Sequence, residues 1–152
     1  MSSPIILLTD QALDVQGPLA DFSALEHIGA VSSFTGQVRG GDGLTALELQ
    51  HHPVLTPQAL EQIAEAAMSR FSLAGLVLAH RYGRMTPGEP IVFIAAAASH
   101  RRASLDAVSF LIDTVKTQAP FWKREWRGET YEWIEPTAED HAAARQWLEA
   151  AE

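Results

Sequence analysis

The sequence predicts an α+β fold: a single domain over residues 1–152, built from antiparallel sheet hairpins and about four helices. Three observations predict it. Apolar runs rich in β-branched residues follow one another in pairs instead of alternating strictly with helices, which disfavours a doubly wound sheet. Two segments carry apolar residues at helical spacing over several turns. The chain has 152 residues and is 47% hydrophobic, which suits one ordinary core with no linker, repeat or low-complexity tract.

Ile5 to Thr9 is a short apolar run and reads as a strand. Asp21 to Ile28 can form a short helix with Asp21 at its start. Gly29 to Arg39 is rich in small and β-branched residues, a strand closed by Gly40-Gly41-Asp42-Gly43. Leu44 to His51 alternates apolar and polar residues, so the Gly-Asp-Gly connection predicts a hairpin with the preceding strand. Thr56 and Pro57 predict a helix start, Thr as cap and Pro in the first turn. Leu60, Ile63, Ala64, Ala67, Met68 and Phe71 then mark its inward face. Leu76 to Tyr82 and Ile91 to Ala98 are strands joined by a turn over Met85 to Pro90. Ser99 to Thr117 is a helix with Ser99 as cap and Pro120 as its stop. Trp122 to Trp126 and Thr130 to Ile134 form a closing hairpin, and Pro136 to Ala150 a terminal helix.

Composition narrows the function. The chain has no cysteine, which excludes disulfides, thiolate metal sites and a cysteine nucleophile within it. That suits a reducing compartment, and a cytoplasmic location is expected. The start Met1-Ser2-Ser3-Pro4 lacks a basic signal-peptide region, and no apolar run reaches a membrane span. The net charge of −8 argues against nucleic acid as partner. The charge is uneven, however. Between Arg101 and Arg127, six basic residues face only Asp106, Asp113 and Glu125. A basic island on an acidic chain is what an anion pocket needs, although a solvated helix face would read the same way.

Of the 11 lysines and arginines only two are lysine, Lys116 and Lys123, on either side of Ala119-Pro120-Phe121-Trp122. An amine can change protonation when partly buried and can act as a nucleophile, which a guanidinium does poorly. Arg39 at a strand end and His100-Arg101-Arg102 at a helix start are two further basic clusters. Free amides at a helix start favour anions, so cations placed there suit a bound anion or simple solvation. His51 and His52 are adjacent, point to opposite strand faces and cannot share one metal. His80 reads as a structural histidine, and the four tryptophans as core or interface residues. No nucleophile elbow, Walker loop, dinucleotide fingerprint or metal-ligand set is present in the sequence.

Several strings together resemble the catalytic large subunits of molybdopterin synthase. They are Gly29-Ala30-Val31 through Phe34 to Arg39, Leu47 to His51, His80 to Gly83, Pro87-Gly88-Glu89, Ser99-His100-Arg101 and Lys116 to Glu125. They occur in the family's order across about residues 29 to 135. The resemblance implies a hammerhead-type α+β fold and a homodimer inside a heterotetramer. It implies a small ubiquitin-like partner whose C-terminal Gly-Gly thiocarboxylate enters the large subunit's pocket. It implies sulfur transfer to cyclic pyranopterin monophosphate, forming the dithiolene of molybdopterin, with no cofactor or metal. Since the sulfur arrives on the partner, a cysteine-free chain fits.

Carried over residue by residue, the resemblance places substrate binding at Gln37, Val38, Arg39, His100, Arg101, Lys116, Lys123, Arg124 and Glu125, and catalysis at Lys116 and Lys123. Arg39, His100 and Arg101 are expected at phosphate. Lys116 is expected beside the thiocarboxylate, at a developing oxyanion or moving a proton. Lys123 is expected at the pterin phosphate or as general acid, and these two roles can be exchanged. Gln37 stands where the family often has lysine, the loop after Arg39 is short, His52-Pro53-Val54 replaces the usual Tyr-Pro-Gly, and Arg102 adds a charge. Two other readings are a non-catalytic module binding a ubiquitin-like tail and an unrelated enzyme on a phosphorylated metabolite.

Overall fold

Strands and helices follow one another as β1 (Ile5–Thr9), α1 (Gly17–Asp21), β2 (Ala30–Gln37), β3 (Ala46–His51), α2 (Leu55–Arg70), β4 (Gly75–Arg81), β5 (Gly83–Met85), β6 (Pro90–Ala98), α3 (Arg101–Gln118), β7 (Phe121–Arg127), β8 (Thr130–Ile134) and α4 (Ala138–Glu149). The computed structural model describes residues 3–149. The Met1-Ser2 start and the expected helix end at Ala150 lie outside them. Among the described residues no helix is long and apolar enough to cross a membrane.

The strands divide into two four-stranded sheets, ordered β1-β4-β6-β2 and β5-β3-β7-β8. Only β1 and β4 run parallel; the other pairs are antiparallel. The architecture is therefore the expected α+β class, with four helices.

The centre of the first sheet is β4 and β6, whose residues are apolar in nearly unbroken runs because both faces are covered. Strand alternation sends Leu76, Leu78, Ile94 and Ala96 to one face, where Leu60 and Ile63 of α2 and Leu111 of α3 cover them. Val77, Ala79, Phe93, Ala95 and Ala97 point to the other, under Leu13 and Phe22. The alanines of β6 let α3 approach closely. Ser104 on α3, fully buried, donates its hydroxyl to the carbonyl of Ala96 at 2.9 Å and meets Ser32 of β2 at 2.7 Å. Gly29 makes a second close approach. A Cβ there would stand 2.1 Å from the Ser99 carbonyl, so glycine is required where the chain passes the start of α3. A smaller cluster of Val38, Leu49 and Met85 joins the second sheet to the first.

Four local expectations are corrected. β2 and β3 do not form a hairpin. β2 pairs with β6, and β3 pairs with β5 and β7. Gly41, Asp42 and Gly43 all have positive φ, and this loop carries the chain from one sheet to the other. The expected helix over Asp21 to Ile28 is displaced. α1 ends at Asp21, a single 3-10 turn covers Phe22–Ala24, and His27 takes φ 63°. Thr56 is not the cap of α2; it lies inside the first turn. The N-cap position is Val54, and the amides of Val54 and Leu55 donate to Nδ1 of the preceding His52 at 3.1 and 3.0 Å. At the start of α3 the extended residue is His100, while Ser99 donates its hydroxyl to the His27 carbonyl. The β7–β8 hairpin forms as expected, turning at Gly128 with φ 65°.

Candidate functional site

Seven elements converge on a cavity of about 520 Å³, with His80 of β4 and Ile91 and Val92 of β6 in its wall. β2 and the segment after it supply Phe34, Gly36, Gln37 and Arg39; β3 supplies Leu47 and Leu49. The last turns of α3 supply Ile112, Val115 and Lys116. β7 supplies Phe121 and Lys123, and the end of β8 supplies Ile134 with Pro136 beyond it. Its lining is mixed: most of its side chains are apolar, and Gln37, Arg39, His80, Lys116 and Lys123 supply the polar groups, a make-up that suits a small-molecule site.

Local sequence explains how the two lysines meet. Pro120 ends the helix, because it lacks an amide proton and the residue before it avoids the helical region. Ala119 accordingly turns to extended geometry with ψ 128°, and β7 begins at Phe121. Alternation along β7 then points Phe121 and Lys123 into the cavity. Lys116, in the last turn of α3, lines the same cavity.

Lys123 is partly buried, and burial holds its amine below the ordinary lysine range; the nearby Lys116 charge lowers it further. Asp140 and Glu125 act in the opposite sense on Lys123. Lys116 is half exposed and lies 3.7 Å from Asp140 of α4. A third titratable group lines the wall. His80 of β4 is 6% exposed and stacks on Phe121, with centroids 4.0 Å apart and planes 19° apart. Its Nδ1–H donates to the Arg81 carbonyl at 3.0 Å, which leaves the lone pair on Nε2. Burial pulls its pKa down to about 4, so the ring is neutral at pH 7.

Of the residues singled out from sequence, the structure brings together Gln37, Arg39, Lys116 and Lys123. Val38 is buried beside them in the core and does not line the cavity; its backbone pairs with Glu89 and Gly88. Arg124 faces the other side of β7. There it donates Nε to Glu48 at 2.8 Å and lies over the rings of Trp126, Tyr131 and Trp133. Glu125 does not line the cavity, yet its charge acts on Lys123. His100 and Arg101 stand at the opposite end of α3, about 24 Å from Lys116 at 1.5 Å per residue. Among the described residues neither forms an ion pair with Glu132 or Glu135. Two groups escaped the sequence reading of the site. His80 was expected to be only structural. Asp140 carried no mark beyond a Thr137-x-x-Asp140 spacing, which is a helix-start signal.

Comparison with known proteins identifies the fold and the family. Residues 8–118 match the family model described as MoaE protein. A molybdopterin synthase catalytic subunit from Caulobacter vibrioides is 43% identical over 149 residues, 97% of this chain and 99% of that protein. One from Pseudomonas aeruginosa is 46% identical over 125 residues, 80% of this chain and 83% of its own length. Among solved structures, molybdopterin cofactor biosynthesis protein E from Burkholderia multivorans superposes with a TM-score of 0.82 at 33% identity, covering 97% of this chain and 98% of that one. A protein-protein complex of subunits 1 and 2 of the molybdopterin-converting factor from Helicobacter pylori shares the fold, with a TM-score of 0.71 at 22% identity over 88% of this chain and 90% of that one. With a family model over most of its length and relatives above two-fifths identity across nearly all of it, the chain belongs to the MoaE protein family, sulfur-transferring enzymes of molybdenum cofactor biosynthesis.

Proposed function

We propose that the cavity between Arg39, Lys116 and Lys123 is where sulfur passes from the thiocarboxylated C-terminus of a small ubiquitin-like subunit to cyclic pyranopterin monophosphate. One observation carries the reading. The chain's only two lysines, from a helix end and from a strand, line one cavity with an arginine beside them. Both reactants are anions, and fixed cations in a partly desolvated site bring them together at no reorganisation cost.

The roles follow from environment. Arg39 meets phosphate oxygens with its planar fork. Lys116 is the more exposed amine, so it receives the thiocarboxylate and stabilises the oxyanion that develops on its carbonyl. Lys123 is the more buried amine with the lowered pKa, a change in the direction that favours proton transfer. The apolar walls accept the flat pterin and an extended peptide tail. Arg124, held by Glu48, shapes β7 from behind. His100 and Arg101 can join this cavity only from a second copy of the chain, which the proposed homodimer within a heterotetramer would supply. The proposed setting is the cytoplasm.

The test is a reconstituted reaction. Purified protein is mixed with thiocarboxylated small subunit and cyclic pyranopterin monophosphate, with Lys116→Ala in parallel. Molybdopterin from the wild type and none from the folded variant is the expected result. A folded wild type that binds the tail and forms no product would overturn the reading in favour of a binding module.

A further inference from the structure

We propose that Asp140, at the start of α4, is a positioning residue for the lysine pair: it anchors Lys116 and sets the charge balance that Lys123 feels. The proposal rests on the lysines having the roles given above, but its geometry stands apart from them.

Asp140 is held in place by a reciprocal cap. The Thr137 amide donates to Asp140 Oδ2 at 2.9 Å, and the Asp140 amide donates to Thr137 Oγ1 at 3.1 Å. That leaves Oδ1, which lies 3.7 Å from Lys116 Nζ. One carboxylate thus closes a helix start and faces an active-site amine. It is only about one-quarter exposed, so the ion pair is screened less than a surface pair would be. The helix that carries it is tied to α3. Trp147 of α4 donates its indole N–H to Asp113 of α3 at 2.8 Å, and packs edge-on against Phe71 and Phe110. Asp113 lies one turn before Lys116 and is committed to that tryptophan.

The charged and titratable groups around the pair come from every neighbouring element. Lys116 pairs with Asp140 from α4, and its charge acts on Lys123 from β7. Lys123 meets Lys116, Asp140, Glu125 on its own strand and His80 from β4, with Arg39 on the same cavity wall. Glu125 and Asp140 are the two acids that act on Lys123, and of these only Asp140 also touches Lys116. Its own carboxyl is held below the usual range, first by the Thr137 amide and then by the Lys116 and Lys123 charges. It is therefore ionised at neutral pH.

Two lysines in the whole chain make a direct test simple. Protein labelled with 13C in lysine only gives two side-chain signals, whose titrations are read without turnover. Asp140→Asn keeps an acceptor for the Thr137 amide and removes the charge; Asp140→Glu keeps both. In Asp140→Asn the Lys123 signal is expected to titrate at lower pH than in wild type, and kcat to fall roughly tenfold with KM for the small subunit less affected. Asp140→Glu restores most of both. An Asn variant with wild-type lysine titration and wild-type kcat overturns the proposal and reduces Asp140 to a helix cap. Should the Asn variant not fold, Asp140→Gln against Asp140→Glu repeats the comparison with the same two outcomes. If wild-type protein transfers no sulfur, the proposed function falls, while the lysine titrations still decide the role of Asp140.

Discussion

His80 and Phe121 stack almost face to face, 4.0 Å between ring centres, and so join the central sheet to the strand that carries Lys123. The contact keeps a neutral imidazole buried. In the unfolded chain the same group titrates near 6.5, and in the fold near 4. Between those values the unfolded state binds more protons, so stability is full above about 6.5 and is lost as pH falls towards 4. The loss from this one group is about 3 kcal/mol. Urea unfolding at pH 7.0 and 4.5 should show it, and His80→Gln should flatten that part of the dependence.

Lys116→Ala should lower kcat/KM by about 10²–10⁴-fold while far-UV dichroism and Tm stay near wild type, because the side chain is half exposed. Lys116→Arg should recover little. A guanidinium keeps the charge but is wider, planar and permanently protonated.

Thr56 links the start of α2 to the entry of β7. Its hydroxyl accepts the His52 amide at 2.9 Å and donates to the Pro120 carbonyl at 2.7 Å, and the residue is fully buried. Thr56→Val leaves both backbone groups without this partner at similar side-chain volume. It should cost about 1–3 kcal/mol in chemical denaturation and, by loosening Pro120, reduce turnover as well.

Glu48→Ala tests whether Arg124 works from behind the cavity. The pair is mostly buried, and removing one partner strands the other, for a loss of roughly 2 kcal/mol. Because Arg124 faces away from Lys123, kcat at a temperature where the variant is folded should stay within about threefold of wild type, in contrast with the Lys116 change. A drop as large as that of Lys116→Ala would place Arg124 in contact with substrate.

Much of this was legible in the sequence where local pattern and final environment agree. Ile5–Thr9 and Thr130–Ile134 were read with the bounds they have, and α3 within two residues at its start. The failures occur where distant partners decide. Gly40 to Gly43 has the composition of a hairpin turn, yet β2 finds β6 and β3 finds β7, because those pairings complete two sheets at once. Gly83–Met85 is too short to show period, and it becomes a strand only because Leu47 to Leu49 offer it an edge. In the site, scarcity exposed the two lysines. Nothing comparable marked Asp140, one of 19 acids, or revealed that His80 would be stacked in a cavity wall. Chain order also hid the separation of His100 and Arg101 from Lys116, since a helix sends its two ends in opposite directions.

The cavity draws its walls from Phe34 at one extreme and Pro136 at the other. More than a hundred residues must therefore be synthesised and docked before the cations share a space. A chain that stops before β8 lacks Ile134 and Pro136, and with them one wall of the cavity. The enclosure is therefore a property of the chain through Pro136, since no shorter N-terminal stretch contains all of its walls.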